Sequence, residues 1–274
     1  MSKKNKQSGA GLGDALRSIF TTGAIIFAFV MAVLIYLFIM GNPINFEGGN
    51  PEGAPLPGNY LGMVFKGGWV VPVLITINLV LLIFAVERWI TLSRAKGKGR
   101  INVFVKKLQS YLNDNQIDEA IDACDKQRGS LANVMRAGLL RYKSLKEDQT
   151  LEKDQKLVAL QKEFEEATAL ELPILSRNLV ILSTIATISV LTGLFGTVLG
   201  MIRAFAALAT AGAPDALALA TGISEALINT AFGILGSLLA VVFYNYFSTK
   251  IDNFTYKIDE AGFSLVQTFA ATTK

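Results

Sequence analysis

A chain of 274 residues that is 51% hydrophobic and only 18% charged, with a mean hydropathy of +0.43, is too apolar for an ordinary soluble domain and falls in the membrane class. Its net charge of +4 is accounted for by lysines and arginines flanking membrane spans, so nucleic acid is not an expected partner. The single cysteine, Cys124, excludes an intramolecular disulfide, and the absence of histidine excludes histidine-based zinc sites, Ser-His-Asp triads and histidine proton relays.

Residues 1–18 read as a polar tail with Lys3, Lys4, Lys6 and Arg17. The apolar run "IFTTGAIIFAFVMAVLIYLFIM", within residues 19–41, meets the roughly 20 residues needed to cross the hydrocarbon core. It is longer than the roughly 7–15 residues of a signal-peptide core and has no A-x-A cleavage site after it. Residues 42–68 form a Gly/Pro-rich loop holding Glu47, Glu52 and only Lys66. A second span occupies 69–92, and Arg88, Arg94, Lys96, Lys98 and Arg100 cluster at its end.

The polar region 93–177 has the pattern of helices, with Phe104, Leu108, Tyr111 and Leu112, then Leu157, Leu160, Phe164 and Ala167, at helical spacing. Lys162 and Glu166 suit an exposed helix face, and Pro173 is expected to kink the chain or start a turn. A third span occupies 178–208, a short loop with Asp215 occupies 209–221, and a fourth span occupies 222–248. Residues 249–274 read as a C-terminal helix with Lys250 and Lys257. The distribution of basic residues places both termini and the polar region 93–177 in the cytoplasm, with the two loops outside. The fold expected is all-α, a polytopic membrane protein with four transmembrane helices and a cytoplasmic helical extension.

The third and fourth spans carry polar and small residues that a lipid-facing helix does not need. Ser189, Gly193, Thr197, Gly200 and Ala204 fall on one face of the third span, because residues three or four apart share a face. Gly222, Ala226, Thr230, Gly233, Ser237 and Ala240 do the same on the fourth, with Glu225 and Asn229 just beside them. Small stripes let membrane helices approach closely, and a threonine can bond its own i−4 carbonyl. A carboxylate inside a span is costly and marks a polar cavity, an ion path or a partner, unless it snorkels to the interface. Thr197 and Thr230 are expected at one depth on antiparallel neighbours. Arg203 is expected to snorkel outward or to pair with Glu225 or Asp215.

These residues carry a resemblance to a known family. "TISVLTGLFGTVLGMIRAF" in the third span and "ATGISEALINTAFGILGSLLAVVFYNYF" in the fourth resemble the MotA/TolQ/ExbB proton-channel family, and more weakly so does "VERWITL" at the end of the second. The likeness covers roughly residue 70 to the C-terminus and is closer to the ExbB and TolQ branch than to flagellar MotA. It implies a ring-shaped homo-pentamer around the single transmembrane helices of a dimeric ExbD-like partner, which contributes a membrane Asp. It further implies an inner-membrane motor that uses the proton-motive force to drive a TonB-like protein and so uptake across the outer membrane.

By this likeness Thr197 and Thr230 line the proton path opposite the partner's Asp, and Glu225 matches the family's fourth-span glutamate. Gly193, Gly200, Ala226 and Gly233 accompany the threonines on the pore-side faces, with Asn229 and Arg203 as further polar residues of the pore or of subunit contacts. The chain departs from the ExbB and TolQ pattern in its extra first span and inside N-terminus, and in reading "ISVLT" where some ExbB proteins have a proline. No catalytic residue, metal site or cofactor is expected. A TolQ-like, flagellar or gliding stator subunit is the alternative within the family. A membrane scaffold or integral enzyme is the alternative outside it, disfavoured because GxSxG and P-loop motifs are missing.

Overall fold

A computed structural model describes residues 8–148, 150–210 and 216–272. Lys3, Lys4, Lys6 and Asp215 lie outside the described residues, as does the side chain of Arg17. The described elements are helical: α1 (Ser8–Leu34), α2 (Tyr60–Phe65), α3 (Val70–Ala95), α4 (Ile101–Asn113), α5 (Ile117–Gln127), α6 (Ser130–Glu147), α7 (Lys153–Ser176), α8 (Leu179–Thr210) and α9 (Ala216–Thr272). Four helical stretches are long and apolar enough to cross a membrane: Thr21–Met40, Val70–Ala95, Lys153–Ala209 and Leu217–Thr272. With its Lys/Arg-poor apolar runs and large lipid-type side chains on their exposed faces, such as Phe195, Ile202, Leu227 and Leu238, the protein is a multi-pass membrane protein.

The chain divides into two compact units. The first draws on residues 1–85 and 180–244. Here α1 runs on into a π-helix, Ile35–Met40, and is fastened by a small core of Ala32, Met40, Val71 and Ile75 against Phe65 and Ile228. The Tyr36 hydroxyl donates to the Phe65 carbonyl at 3.0 Å, and the two rings stack at 4.7 Å.

The Gly/Pro-rich loop is built around Asn45. Its amide donates to the carbonyls of Ile39 (2.8 Å) and Met40 (2.9 Å) and accepts from Asn59 (3.0 Å). Asn59 in turn caps α2 by accepting from Gly62 N–H at 3.1 Å. The extra first span is therefore held to the rest of the unit by packing and by hydrogen bonds, because buried backbone carbonyls at its end need partners.

The second unit draws on residues 86–179 and 245–274. Its core is made of large side chains: Phe104, Leu108, Leu131, Met135, Leu139 and Tyr142, closed by Leu160 and Phe164 of α7 and by Ile258, Leu265 and Phe269 of α9. The helical spacing expected for 93–177 is thus realised as buried stripes on α4 and α7. Lys162 and Glu166 pair across one exposed turn of α7 at 3.7 Å.

Two glycines are required by close approach. Gly97 (φ +72°) meets the Arg128 carbonyl where a Cβ would overlap it, so the α3–α4 and α5–α6 turns interlock. Gly138 leaves the space on α6 that the Phe164 ring fills.

The chain does not turn at Pro173. Helix α7 continues through it to Ser176, and the break falls at Arg177 and Asn178, the latter with φ of +61°. Asparagine tolerates this left-handed conformation better than most residues. Helix α9 runs 57 residues, about 85 Å at 1.5 Å per residue. The change from apolar to polar near residue 248 is a change of side chains without a break in the backbone.

Candidate functional site

Helices α8 and α9 meet along the two small-residue stripes. Contacts pair Ser189 with Gly233, Gly193 with Asn229 and Gly233, Gly200 with Gly222 and Ala226, and Ala204 with Gly222. Numbers rise on one helix as they fall on the other, so the pair is antiparallel. The approach is set by the missing side chains: a Cβ on Gly193 would lie 2.8 Å from the Asn229 carbonyl, and one on Gly200 2.7 Å from the Ala226 nitrogen. Gly193, Gly200, Ala226 and Gly233 are all buried and face the other helix of the same chain.

Thr197 and Thr230 are half-buried, and their hydroxyls are hydrogen-bonded to each other across the seam. Each also bonds its own helix, Thr197 to the Gly193 carbonyl at 3.1 Å and Thr230 to the Ala226 carbonyl at 3.2 Å. Thr197 reaches the Ala226 carbonyl as well, at 3.3 Å. With one proton apiece, the two hydroxyls share these contacts as one small network, in which the hydroxyl that donates across the seam does not at the same time donate to a carbonyl.

The Glu225 side chain is 5% exposed and takes Arg203 Nη1 at 2.5 Å, while the Arg203 side chain is 49% exposed. Of the partners considered for Arg203, the structure brings in Glu225. The turn before α3 lies against this pair. Gly68 (φ +76°) comes so close that a Cβ would overlap the Glu225 carboxylate and stand 3.2 Å from Arg203 Nη1.

One turn along α9, the fully buried Asn229 donates from Nδ2 to the Gly67 carbonyl at 2.9 Å. The Asn229 side chain fits the notch at Gly196, and its Oδ1 is a buried acceptor with no protein partner. Glu225, Asn229 and the Gly67–Gly68 turn thus form one polar joint between α9 and the start of α3. A cavity of about 660 Å³ opens beside this joint, lined by Glu52, Lys66, Gly68, Arg203 and Glu225 among others.

Two polar groupings in the spans were not anticipated. Asn78 of α3 bonds its own Leu74 carbonyl at 2.8 Å and lies with Ser189 against Gly236, where a Cβ would crowd both. Ser189 in turn donates to the Gly233 carbonyl at 2.9 Å. An asparagine within the apolar "ITINLV" was the available signal.

The second grouping centres on Arg88, one of the basic residues at the end of the second span. It is 1% exposed, held by both oxygens of Glu87 (2.6 and 2.8 Å) and donating to the Leu175 carbonyl at 3.2 Å. Thr91 and Asn178 donate to Glu87 in turn, at 3.0 and 3.3 Å. This cluster ties the end of α3 to the turn after α7. Among the described residues no group of His, Cys, Asp or Glu is arranged to hold a metal ion.

A seam of small residues with hydroxyls bonded across it lets two membrane helices pack closely, and comparison with known proteins gives the class. Residues 126–260, about half of the chain and including all of the α8–α9 seam, match the MotA/TolQ/ExbB proton channel family, to which this chain belongs.

Relatives carry two names. The chain is 26% identical over 179 residues to the Tol-Pal system protein TolQ of Pseudomonas aeruginosa, covering 64% of this chain and 78% of that protein. It is 41% identical over 73 residues to the biopolymer transport protein ExbB of Salmonella typhimurium (27% of this chain, 30% of that protein). A match of 40% over 82 residues links it to TolQ of Haemophilus influenzae (30% and 36%). Only the first match spans more than two thirds of the relative. The protein is thus a family member of the ExbB/TolQ type, a kind not known for enzymes.

Proposed function

We propose that this chain is the inner-membrane channel subunit of a proton-driven motor, with both termini and the region 93–177 in the cytoplasm. Five copies form a ring around a dimeric, ExbD-like single-span partner whose membrane Asp titrates. The motion of that partner does work on a TonB-like protein, powering uptake across the outer membrane.

The observation that carries this reading is the Thr197–Thr230 hydroxyl pair, half-buried on the seam of α8 and α9 in a stretch that matches a proton-channel family. Hydroxyls orient water and relay hydrogen bonds but hold no charge near neutral pH. Glu225 is engaged by Arg203. The titrating group therefore comes from another chain. Gly193, Gly200, Ala226 and Gly233 set the closeness and depth at which the two threonines stand on the path, and Glu225, Asn229 and Arg203 hold the joint beside it.

The match to TolQ of Pseudomonas aeruginosa, which extends over more of the chain than the ExbB match, favours a second reading. In it the same ring drives a Tol-Pal type load.

Native mass spectrometry of the chain purified from its own membranes tests the assembly. The expected species holds five copies with two of a small single-span protein bearing a membrane Asp, and a monomer, or a ring without an acidic partner, would sink the reading. Thr197→Val and Thr230→Val are nearly isosteric. Each is expected to assemble normally and to lower proton flux by tenfold or more in vesicles, so unchanged flux in both would reduce the threonines to packing.

A further inference from the structure

Away from the α8–α9 seam, the second unit carries a cavity of about 730 Å³. One wall is the last turn of α3, where Leu92, Ala95 and Lys96 share a face. The other is a face of α9 that presents Thr249, Lys250, Asn253 and Lys257 at helical spacing. Lys96, Lys250 and Lys257 thus line one space, with Lys257 Nζ donating to Asn102 Oδ1 at 3.1 Å and Asn253 Nδ2 to the Thr249 carbonyl at 2.8 Å. No carboxylate residue lines it, and among the described residues none of these lysines is in an ion pair.

The cavity is also amphiphilic. Leu92, Ile101 and Phe254 give it an apolar wall beside the cationic one. It lies where α3 ends its membrane-spanning stretch at Ala95. Trp89 and Tyr246 stack there at 6.0 Å with planes 11° apart, and Lys250 Nζ stands 5.5 Å from the centre of the Tyr246 ring. Tryptophan, tyrosine and lysine are the residues that sit at headgroup level.

We propose that this cavity binds the phosphodiester headgroup of an anionic phospholipid. Lys96, Lys250 and Lys257 face the phosphate, the Thr249 hydroxyl and the Asn253 amide donate to its oxygens or to the glycerol, and Leu92, Ile101 and Phe254 cover the start of the acyl chains. Basic pockets between helices at a membrane boundary select anionic over zwitterionic lipid through charge. A free phosphate would use the lysines but would leave the apolar wall uncovered. A lipid at the boundary of the bilayer satisfies both walls at once. The proposal rests on the chain's crossing a membrane and is independent of the proton path.

The test is native mass spectrometry of the delipidated full chain in detergent, titrated with phosphatidylglycerol or with phosphatidylcholine of the same acyl chains. Phosphatidylglycerol is expected to bind at least tenfold more tightly. Lys96→Gln/Lys250→Gln/Lys257→Gln is expected to bring its affinity down to that of phosphatidylcholine. Lys106→Gln/Lys126→Gln/Lys153→Gln, which removes the same charge elsewhere, is expected to keep it.

Equal binding of the two lipids, wild-type affinity in the first triple variant, or an equal loss in the second would overturn the proposal. Displacement of phosphatidylglycerol by millimolar inorganic phosphate would overturn it in favour of a free anion. Should the triple variant fail to fold, Lys250→Gln alone, at an exposed position, is expected to weaken phosphatidylglycerol binding about threefold, and an unchanged affinity there counts against the site.

Discussion

The α8–α9 seam and the core of the second unit solve the same problem, holding helices together, with opposite residues. The seam is made of Gly193, Gly200, Gly222, Ala226 and Gly233, with backbone atoms in near contact and Ser189, Thr197 and Thr230 bonded to carbonyls. The second unit is made of Leu108, Leu131, Leu139, Leu160, Phe164 and Phe269. Lipid gives helices no hydrophobic reason to associate, so what remains is van der Waals contact and hydrogen bonding at short range, which favours small residues. Water rewards the removal of apolar area, about 25 cal/mol per Å², which favours large ones. The same helix, α9, contributes to both by carrying small residues in one stretch and Ile258, Leu265 and Phe269 in another.

The comparison breaks most sharply at Gly233. A Cβ there would lie 2.8 Å from Gly193 Cα and from the Ser189 carbonyl, and those are backbone atoms that cannot rotate away. Gly233→Leu is expected to cost more than about 4 kcal/mol, enough to prevent the seam from forming. Thermal unfolding in detergent would show a lost or non-cooperative transition, whereas a melting curve like that of the wild type would mean the helices can part without penalty.

Next in size is Arg88→Met, which keeps volume and removes the counter-charge of Glu87. Leaving one member of a fully buried pair alone costs about 3–5 kcal/mol, and neutralising both recovers much of it; Glu87 is 22% exposed and keeps Thr91 and Asn178 as donors, so the cost falls towards the lower end. Glu87→Gln/Arg88→Met is therefore expected to unfold at a higher temperature than Arg88→Met. The reverse order would deny that the pair, and not the packing of the arginine, is what matters.

Much of this was legible in the sequence, and the illegible part has identifiable causes. The spans were readable because length and hydropathy determine them. The stripes were readable because helical spacing alone puts Gly193, Thr197 and Gly200 on one face. The inward turn of Arg88 to Glu87 was not readable, because counting cations near a span end cannot tell an arginine that reaches water from one that turns inward. The joint at Gly67 and Gly68 was not readable because it needs a left-handed φ at Gly68 and two residues of α9, Glu225 and Asn229, more than 150 positions away. Pro173 was expected to kink the chain or start a turn; α7 keeps it inside the helix, and the turn falls at Asn178, whose left-handed φ supplies the break.

The last prediction lies in the large-residue core of the second unit, and its cysteine reports on it. Leu139→Ala removes a fully buried side chain and is expected to cost about 2–5 kcal/mol, with a cavity where the seam would have had a clash. Cys124 is 1% exposed in the same core. Burial first, and the charge of Asp125 second, push its thiol up to about 12 from an ordinary 9.0, against the opposing pull of Arg136.

The folded state thus holds the thiol proton more tightly than the unfolded chain. This group's contribution is constant below about pH 9 and turns against folding as pH rises from there towards 12. At pH 8 the folded protein offers almost no thiolate, so alkylation must wait for opening of the core. Leu139→Ala is expected to speed alkylation of Cys124 at least tenfold, and Thr197→Val to leave it unchanged. Fast labelling of the wild type at pH 8 would show that the large-residue core is open where the structure closes it.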